Sequence, residues 1–306
     1  MNKSLLAALL SLTLPSAVFA DATIYGKANV SLQSTDEGGS STSELVSNAS
    51  RLGVKGSESI SDGLTAIYKF EFEVHLDDGD KNGDTFSQRN IYVGLQSDAM
   101  GTVIAGKFDT PLKVAQKKID LFSDLEGDIK SILTKNENRE SNSVMYSTPK
   151  GWGPIKASLA YIAKEDDGVD DGTSLSVAYS NKKVYAAIAY DQDVEKEGAE
   201  VFRVVTQVSL GALQLGALYE DQDAGPSSLN DGDAWMASVQ YKMDKVVLKA
   251  QLGESDTVVE GAETFSLGVD YKLSKKTKVF AFYTHEEADA MADDNDYGGL
   301  GIELKF

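Results

Sequence analysis

A period-two alternation of apolar and polar side chains recurs along this chain and strongly limits what it can fold into. In residues 64–76, LTAIYKFEFEVHL, every second residue from Leu64 to Leu76 is apolar. The residues between them are polar or charged, with Ile67 as the exception. Alternation of this length is typical of a β-strand that has one apolar and one polar face.

The alternation repeats to the C-terminus and predicts an all-β chain. Tight turns such as Asn181-Lys182 alternate with longer acidic loops such as 164–172 and 286–296. Short turns at one end and long loops at the other predict an up-and-down antiparallel meander. The pattern predicts 16 strands, at about 22–34, 44–58, 62–76, 85–97, 101–108, 141–149, 154–163, 173–181, 183–191, 200–210, 211–220, 232–243, 244–253, 262–273, 276–286 and 296–306.

Two architectures fit such a meander, a soluble sandwich and a transmembrane β-barrel. A sandwich would turn its apolar face inward and would be large for one domain at 306 residues. Strands of about 9–11 residues suit a tilted barrel, whose closure leaves no unpaired edges. Tyrosines near the strand ends are consistent with aromatic girdles at the membrane interfaces. They are Tyr25, Tyr92, Tyr161, Tyr179, Tyr190, Tyr219, Tyr241, Tyr271, Tyr283 and Tyr297.

The N-terminus has the features of a secretory signal peptide. Lys3 supplies positive charge, residues 4–14 form a short apolar run, and Val18-Phe19-Ala20 is a suitable cleavage site. We expect residues 1–20 to be removed and residues 21–306 to form one barrel domain. Beyond the signal, no segment reaches the roughly 18 apolar residues of a membrane helix. The chain has no cysteine, so no disulfide supports it.

The charge balance excludes one class of partner. The chain carries 29 Lys and Arg against 48 Asp and Glu, a net charge of −19. Removal of Lys3 with the signal makes the net charge −20. A chain this acidic is not expected to bind nucleic acid.

Motifs spread over the whole mature chain resemble those of the general porins of Gram-negative outer membranes. A single motif of this kind would be weak evidence, but their order and spacing together are specific. The motifs are DATIYGK at 21–27, SRLGVKGSE at 50–58, DGLTAIY at 62–68, RNIYVGL at 89–95, GTVIAGKFDTP at 101–111, RESNSVMYSTP at 139–149 and the terminal Phe306.

The resemblance implies a fold and a function. Porins of this type are homotrimers of 16-stranded antiparallel barrels in the cell outer membrane, and their third loop folds into the barrel and narrows it. They pass ions and small hydrophilic solutes by passive diffusion through a water-filled lumen. We therefore expect contact with outer-membrane lipid and with lipopolysaccharide. The net acidity favours a weak preference for cations, although screening weakens charges far from the constriction.

The resemblance also implies the residues of the constriction. A basic ladder on the wall would face carboxylates of loop 3, which spans residues 109–138. Two features depart from the family pattern, namely Lys107 where many relatives have Arg and the added charge of Lys117-Lys118. The expected ladder is Lys27, Arg51, Arg89 and Arg139, and the acidic candidates are Asp120, Asp124, Glu126 and Asp128.

The acidic segment 77–89, DDGDKNGDTFSQR, begins like a calcium loop. An EF-hand needs a bidentate Glu at its twelfth position, where this chain has Arg89. We therefore interpret the segment as the loop between the third and fourth strands, which in the family reaches toward a neighbouring subunit. An irregular calcium site of Asp78, Asp80, Asn82 and Asp84 stays open as an alternative; no other cofactor is expected.

An enzymatic function is not expected. A barrel hydrolase needs a positioned nucleophile and usually a histidine base. The chain has two histidines, His75 and His285, and neither lies in a recognisable nucleophile motif. A substrate-specific channel or an adhesin-like barrel remains an alternative, because the geometry of loop 3 cannot be read from the sequence.

Overall fold

The fold is a single antiparallel sheet closed into a barrel. The computed structural model describes residues 22–77, 86–165, 168–226, 229–289, 291 and 293–306. The predicted signal peptide and the calcium alternative at Asp78, Asp80, Asn82 and Asp84 lie outside these residues. In the described part of the chain, no helix is both long and apolar enough to cross a membrane.

The elements follow one another almost entirely as strands. Among the residues that the structure describes, the helical elements are α1 (Pro111–Ala115) and a 3₁₀ helix (Lys150–Trp152). The strands are β1 (Thr23–Glu37), β2 (Ser40–Ser47), β3 (Arg51–Ser61), β4 (Leu64–Val74), β5 (Phe86–Ser97), β6 (Gly101–Asp109), β7 (Arg139–Ser147), β8 (Ile155–Ile162), β9 (Gly172–Ser180), β10 (Val184–Gln192), β11 (Glu200–Leu210), β12 (Leu213–Asp223), β13 (Gly232–Met243), β14 (Val246–Ser255), β15 (Ala262–Lys272), β16 (Thr277–Glu287) and β17 (Asn295–Lys305).

The described strands form 16 barrel staves, as the alternation predicts. Segments β2 and β3 both pair with β1 and are two halves of one stave, interrupted at residues 48–50. Ala49 adopts a φ of 46° there, a left-handed conformation that breaks the strand. Each stave pairs with its sequence neighbours, and β1 pairs with β17 to close the barrel.

The two faces of the sheet have the polarity that a membrane barrel requires. On β15 the outward Leu267 is 46% exposed, whereas the inward Ser266 is 1% exposed. The same contrast occurs on β11, where the outward Phe202 is 42% exposed and the inward Arg203 is 0% exposed. The exposed face is apolar and the enclosed face is largely polar, which is the reverse of a soluble sandwich. The sandwich alternative is therefore wrong.

One strand boundary differs from the prediction for a clear reason. The sequence predicts a strand at 141–149, but β7 spans Arg139–Ser147. Pro149 lacks a backbone N–H and cannot continue the hydrogen-bond ladder, so the strand ends before it. Because β7 starts earlier, Arg139 pairs with Asp109, and the pairing of β6 with β7 extends to the two ends of loop 3.

Loop 3 begins with a short helix. Thr110 caps α1, because its hydroxyl oxygen accepts a hydrogen bond from the backbone N–H of Lys113 at 3.3 Å. Pro111 occupies the first turn, where its missing N–H is tolerated. The Arg203 guanidinium, on the barrel wall, donates to the Leu112 carbonyl at 3.3 Å. The helix therefore directs the loop along the inner face of the sheet.

The rest of loop 3 packs against apolar side chains of the inner wall. The loop contributes Leu112, Ile119, Ile129 and Leu133, each at most 1% exposed. Its Phe122 joins a second cluster with Phe280 and Phe282. The wall residues of the first cluster include Tyr185, Val201, Val205, Leu218 and Met236. These inward apolar residues are exceptions to the polar lumen, and the loop covers them.

Candidate functional site: the charged passage beside loop 3

Asp124 of loop 3 meets two cations of the opposite wall. Lys27 on β1 and Arg51 at the start of β3 are register partners, so their side chains lie together. The Asp124 carboxylate accepts from Lys27 Nζ and from an Arg51 terminal nitrogen, each at 2.6 Å. Burial opposes ionisation of Asp124, but the Lys27 and Arg51 charges prevail and hold its pKa below the ordinary value.

The other two residues of the expected ladder pair with different carboxylates. Arg89 binds Glu73 at 2.7 Å and Glu71 at 3.3 Å, both on the neighbouring strand β4. Arg139 binds Asp109 at 2.9 Å, where loop 3 leaves the wall. Glu71 and Glu73 are thus ion-pair partners of the lumen wall rather than a free pair of carboxylates.

These ion pairs border one polar cavity of about 530 Å³ between loop 3 and strands β3 to β7. Three of the four expected ladder residues line this cavity, and Lys27 contacts Asp124, which also lines it. The positive side chains along the cavity are Arg51, Arg89, Lys113, Lys117, Lys130 and Arg139, and the carboxylates are Glu73, Asp109, Asp124, Asp128 and Glu137. Six cations against five carboxylates give this cavity, called the passage from here on, a net charge close to zero. The whole chain, in contrast, is strongly acidic.

Asp120 has a different position from Asp124. Its side chain is 6% exposed and accepts hydrogen bonds from the backbone N–H groups of Phe122 and Ile129, at 2.9 and 3.1 Å. Gln251 on β14 also donates to it at 3.2 Å. Burial, with the nearby Asp128 charge, raises the pKa of Asp120 to about 8. Asp120 therefore holds the loop in shape and does not face the ladder.

Asp128 also shapes the loop, although it borders the cavity. It is 8% exposed and accepts from the backbone N–H of Asp124 at 2.7 Å and of Lys130 at 3.0 Å. The first of these bonds fixes the turn in which Asp124 adopts a φ of 69°. Asp128 thus orients the carboxylate that the ladder cations contact.

Glu126 lies on the side of the loop that faces β1. Its carboxylate accepts from the Gln33 amide at 3.1 Å. Burial raises the pKa of Glu126 above its ordinary value, although the Gln33 bond lowers it, and the carboxylates of Glu44 and Glu37 raise it further. The four acidic candidates are therefore not equivalent, since Asp124 alone pairs with the ladder.

Sequence reasoning missed the contacts of Arg203, which anchor loop 3 to the other side of the barrel. Arg203 on β11 is 0% exposed and binds Glu137 of loop 3 at 2.6 Å and Glu220 on β12 at 2.5 Å. Thr134 and Asn136 also donate to Glu220, at 2.6 and 2.7 Å. The signal in the sequence was an arginine within the apolar run 201–205, VFRVV, which can be buried only with partners.

Comparisons with known proteins agree with this architecture. A family model described as Gram-negative porin matches residues 5–291. The major outer membrane protein P.IB of Neisseria lactamica is 27% identical over 348 residues, which cover 100% of both chains. The anion-selective porin from Comamonas acidovorans has a TM-score of 0.79 at 21% identity, over 94% of this chain and 100% of that one.

A third match is the trimer form of OmpT from Vibrio cholerae, with a TM-score of 0.71 at 20% identity, over 94% of this chain and 99% of that one. The chain described above belongs to the Gram-negative porin family. It is an outer-membrane β-barrel that forms a channel for solute diffusion, as the sequence predicts.

The Arg203 anchor yields a prediction. Arg203→Met removes the cation that Glu137 and Glu220 share and leaves both carboxylates buried, so we expect the free energy of unfolding to fall by about 3–5 kcal/mol. Loop 3 should also become mobile, which adds flicker to the single-channel current. Urea unfolding in lipid and bilayer recording measure the two effects.

The matched control is Gln207→Met, an inward position of the same strand whose amide oxygen has no hydrogen-bond partner among the described residues. It should stay close to wild type in both measurements. An Arg203→Met protein that is as stable and as quiet as wild type would contradict the anchoring role.

Proposed function

We propose that loop 3 forms the size-limiting constriction of this channel and that Lys27, Arg51, Arg89 and Arg139 line its basic side. The observation that supports this role is the contact of Asp124 with Lys27 and Arg51 at 2.6 Å, which joins the loop to the opposite wall. Ions and small hydrophilic solutes then pass through the remaining gap by passive diffusion. Such transport needs no covalent step, so the protein is not an enzyme.

The charges of the passage discriminate by polarity rather than by tight binding. Cations on the wall and carboxylates on the loop create a transverse field that orients water and dipolar solutes. Apolar solutes gain nothing from this field and must displace the oriented water, so they pass poorly. Throughput requires easy exit, so no solute is held strongly.

The channel prefers cations weakly. Its long loops are acidic, and Glu37, Glu44 and Glu126 add carboxylates near the long-loop end of β1. The passage itself has six cations and five carboxylates, so it does not reinforce this preference. Because distant charges are screened within about 8 Å at physiological salt, the preference should weaken as the salt concentration rises.

We further propose that the protein is a homotrimer in contact with outer-membrane lipid and lipopolysaccharide. The family to which the chain belongs and the trimer form of the Vibrio cholerae OmpT protein support this assembly. The apolar outer face of the barrel suits lipid. The acidic loops suit lipopolysaccharide bridged by divalent cations.

Asp124 is the residue whose removal tests the constriction most simply. In Asp124→Asn, Lys27 and Arg51 lose the carboxylate they share, and the passage becomes more positive. We expect the ratio of cation to anion permeability to fall roughly twofold or more. The reversal potential across a planar bilayer under a salt gradient measures this ratio.

Asp244→Asn is the matched control for Asp124→Asn. It removes one carboxylate from the short turn between β13 and β14, where a φ of 49° also suits asparagine. This variant should keep the wild-type ratio. Equal reversal potentials for all three proteins would refute the proposed position of Asp124 in the constriction.

The selectivity should depend on pH through Glu126. Because its pKa is raised, Glu126 takes up a proton at a higher pH than an ordinary glutamate, so acidification below pH 7 neutralises Glu126 before the ordinary carboxylates. Asp124, with its lowered pKa, stays ionised over the same range. We expect the cation preference to decrease on acidification, and Glu126→Gln to make that decrease smaller.

The control for Glu126 is Glu195→Gln, which removes the same charge from an exposed loop. Its reversal potential should change with pH as that of wild type does. If Glu126→Gln also retained the full wild-type response to pH, Glu126 would not be the titrating group.

A further inference from the structure

Three potential metal ligands converge at the long-loop end of β16. His285 Nε2 lies 4.0 Å from Glu287 Oε2 and 4.0 Å from Asp294 Oδ2. The three ligand atoms all lie within 4.8 Å of one another. His285 and Glu287 are two residues apart on one strand and share a face, and Asp294 immediately precedes β17, the next strand of the sheet.

A fourth residue orients the imidazole. Asp296 is the register partner of His285 on β17, and its Oδ1 lies 3.0 Å from His285 Nδ1. Tyr283 donates its hydroxyl hydrogen to the same oxygen at 2.5 Å. An ionised carboxylate can only accept a hydrogen bond, so in the neutral ring Nδ1 carries the hydrogen and Nε2 carries the lone pair. A carboxylate behind the imidazole in this way is the usual outer-shell arrangement of a histidine that binds metal.

Nε2 faces a gap between two carboxylates. A separation of 4.0 Å is beyond hydrogen-bonding distance, so the ring does not donate directly to Glu287 or Asp294. Zn²⁺ forms bonds of about 2.0–2.2 Å to nitrogen and oxygen, which puts ligand atoms of a tetrahedral site roughly 3.4 Å apart. The carboxylate side chains are 46% and 57% exposed, so they can move inward by that difference.

We propose that His285, Glu287 and Asp294 form a binding site for a first-row divalent transition-metal ion such as Zn²⁺, with Asp296 as the residue that positions His285. Three protein ligands leave the fourth position for water. The site is separate from the passage beside loop 3 and does not depend on the proposed constriction. A bound ion would link the end of β16 to the start of β17.

The ligand set selects the class of metal. Imidazole nitrogen with two carboxylates suits Zn²⁺, Ni²⁺ or Cu²⁺. Ca²⁺ takes 6–8 oxygen ligands and Mg²⁺ retains several waters, so neither gains from the histidine. The opposing explanation is that the carboxylates only pair with a protonated His285. That cluster would attract Ca²⁺ and Zn²⁺ alike, through charge alone.

The experiment measures Zn²⁺ binding to the folded full-length barrel by calorimetry at pH 7.5, with excess Ca²⁺ present. We expect one Zn²⁺ per chain that Ca²⁺ does not displace. His285→Gln and Asp294→Asn should each weaken binding at least about tenfold, and Asp296→Asn, which keeps all three ligands, should weaken it by about 10–100-fold. Urea unfolding checks that each variant remains folded.

Two controls match these variants in chemistry. Asp293→Asn removes an exposed carboxylate next to Asp294, and His75→Gln removes the other imidazole of the chain. Both should bind Zn²⁺ as wild type does. The proposal is overturned if His285→Gln binds Zn²⁺ with wild-type affinity, if Asp293→Asn weakens binding as much as Asp294→Asn, or if Ca²⁺ displaces the ion.

Discussion

Closure of the sheet between β1 and β17 is the constraint on which the rest of the molecule depends. In hydrocarbon, each unsatisfied backbone N–H or C=O costs several kcal/mol, so a membrane sheet cannot keep open edges. Ten register pairs from Lys27 to Asp36 join β1 to β17. The terminal Phe306 adds reciprocal backbone hydrogen bonds with Gly26, at 3.1 and 3.2 Å. Closure creates the enclosed lumen in which loop 3 packs against the inner wall.

Loop 3 is held from two sides by different interactions. On one side its apolar residues cover inward apolar positions of β10 to β13, and Arg203 joins it to the wall through Glu137. On the other side the contact is electrostatic, through Asp124 with Lys27 and Arg51. The apolar contacts cover one side of the loop, and the charged contacts border the polar cavity.

The strand pattern could be predicted from the sequence because period-two alternation is local, and each 9–11 residue segment carries its own signal. The contacts of the site could not, because they join residues distant in the chain. Asp124 is 97 residues from Lys27, and Arg203 is 66 residues from Glu137. Asp120 and Asp124 are both acidic residues of loop 3, and only the folded backbone separates the buried carboxylate from the one that pairs with the wall.

The most direct test of the constriction uses the absence of cysteine in this chain. Ser123 is exposed, lines the passage and precedes Asp124, so Ser123→Cys introduces one thiol at the proposed constriction. Single-channel conductance is measured before and after reaction with a bulky neutral thiol reagent, with Ser274→Cys in the short turn after β15 as the control. We predict a stepwise loss of conductance for Ser123→Cys and none for Ser274→Cys. Unchanged conductance after complete labelling of Ser123→Cys would contradict the constriction at loop 3.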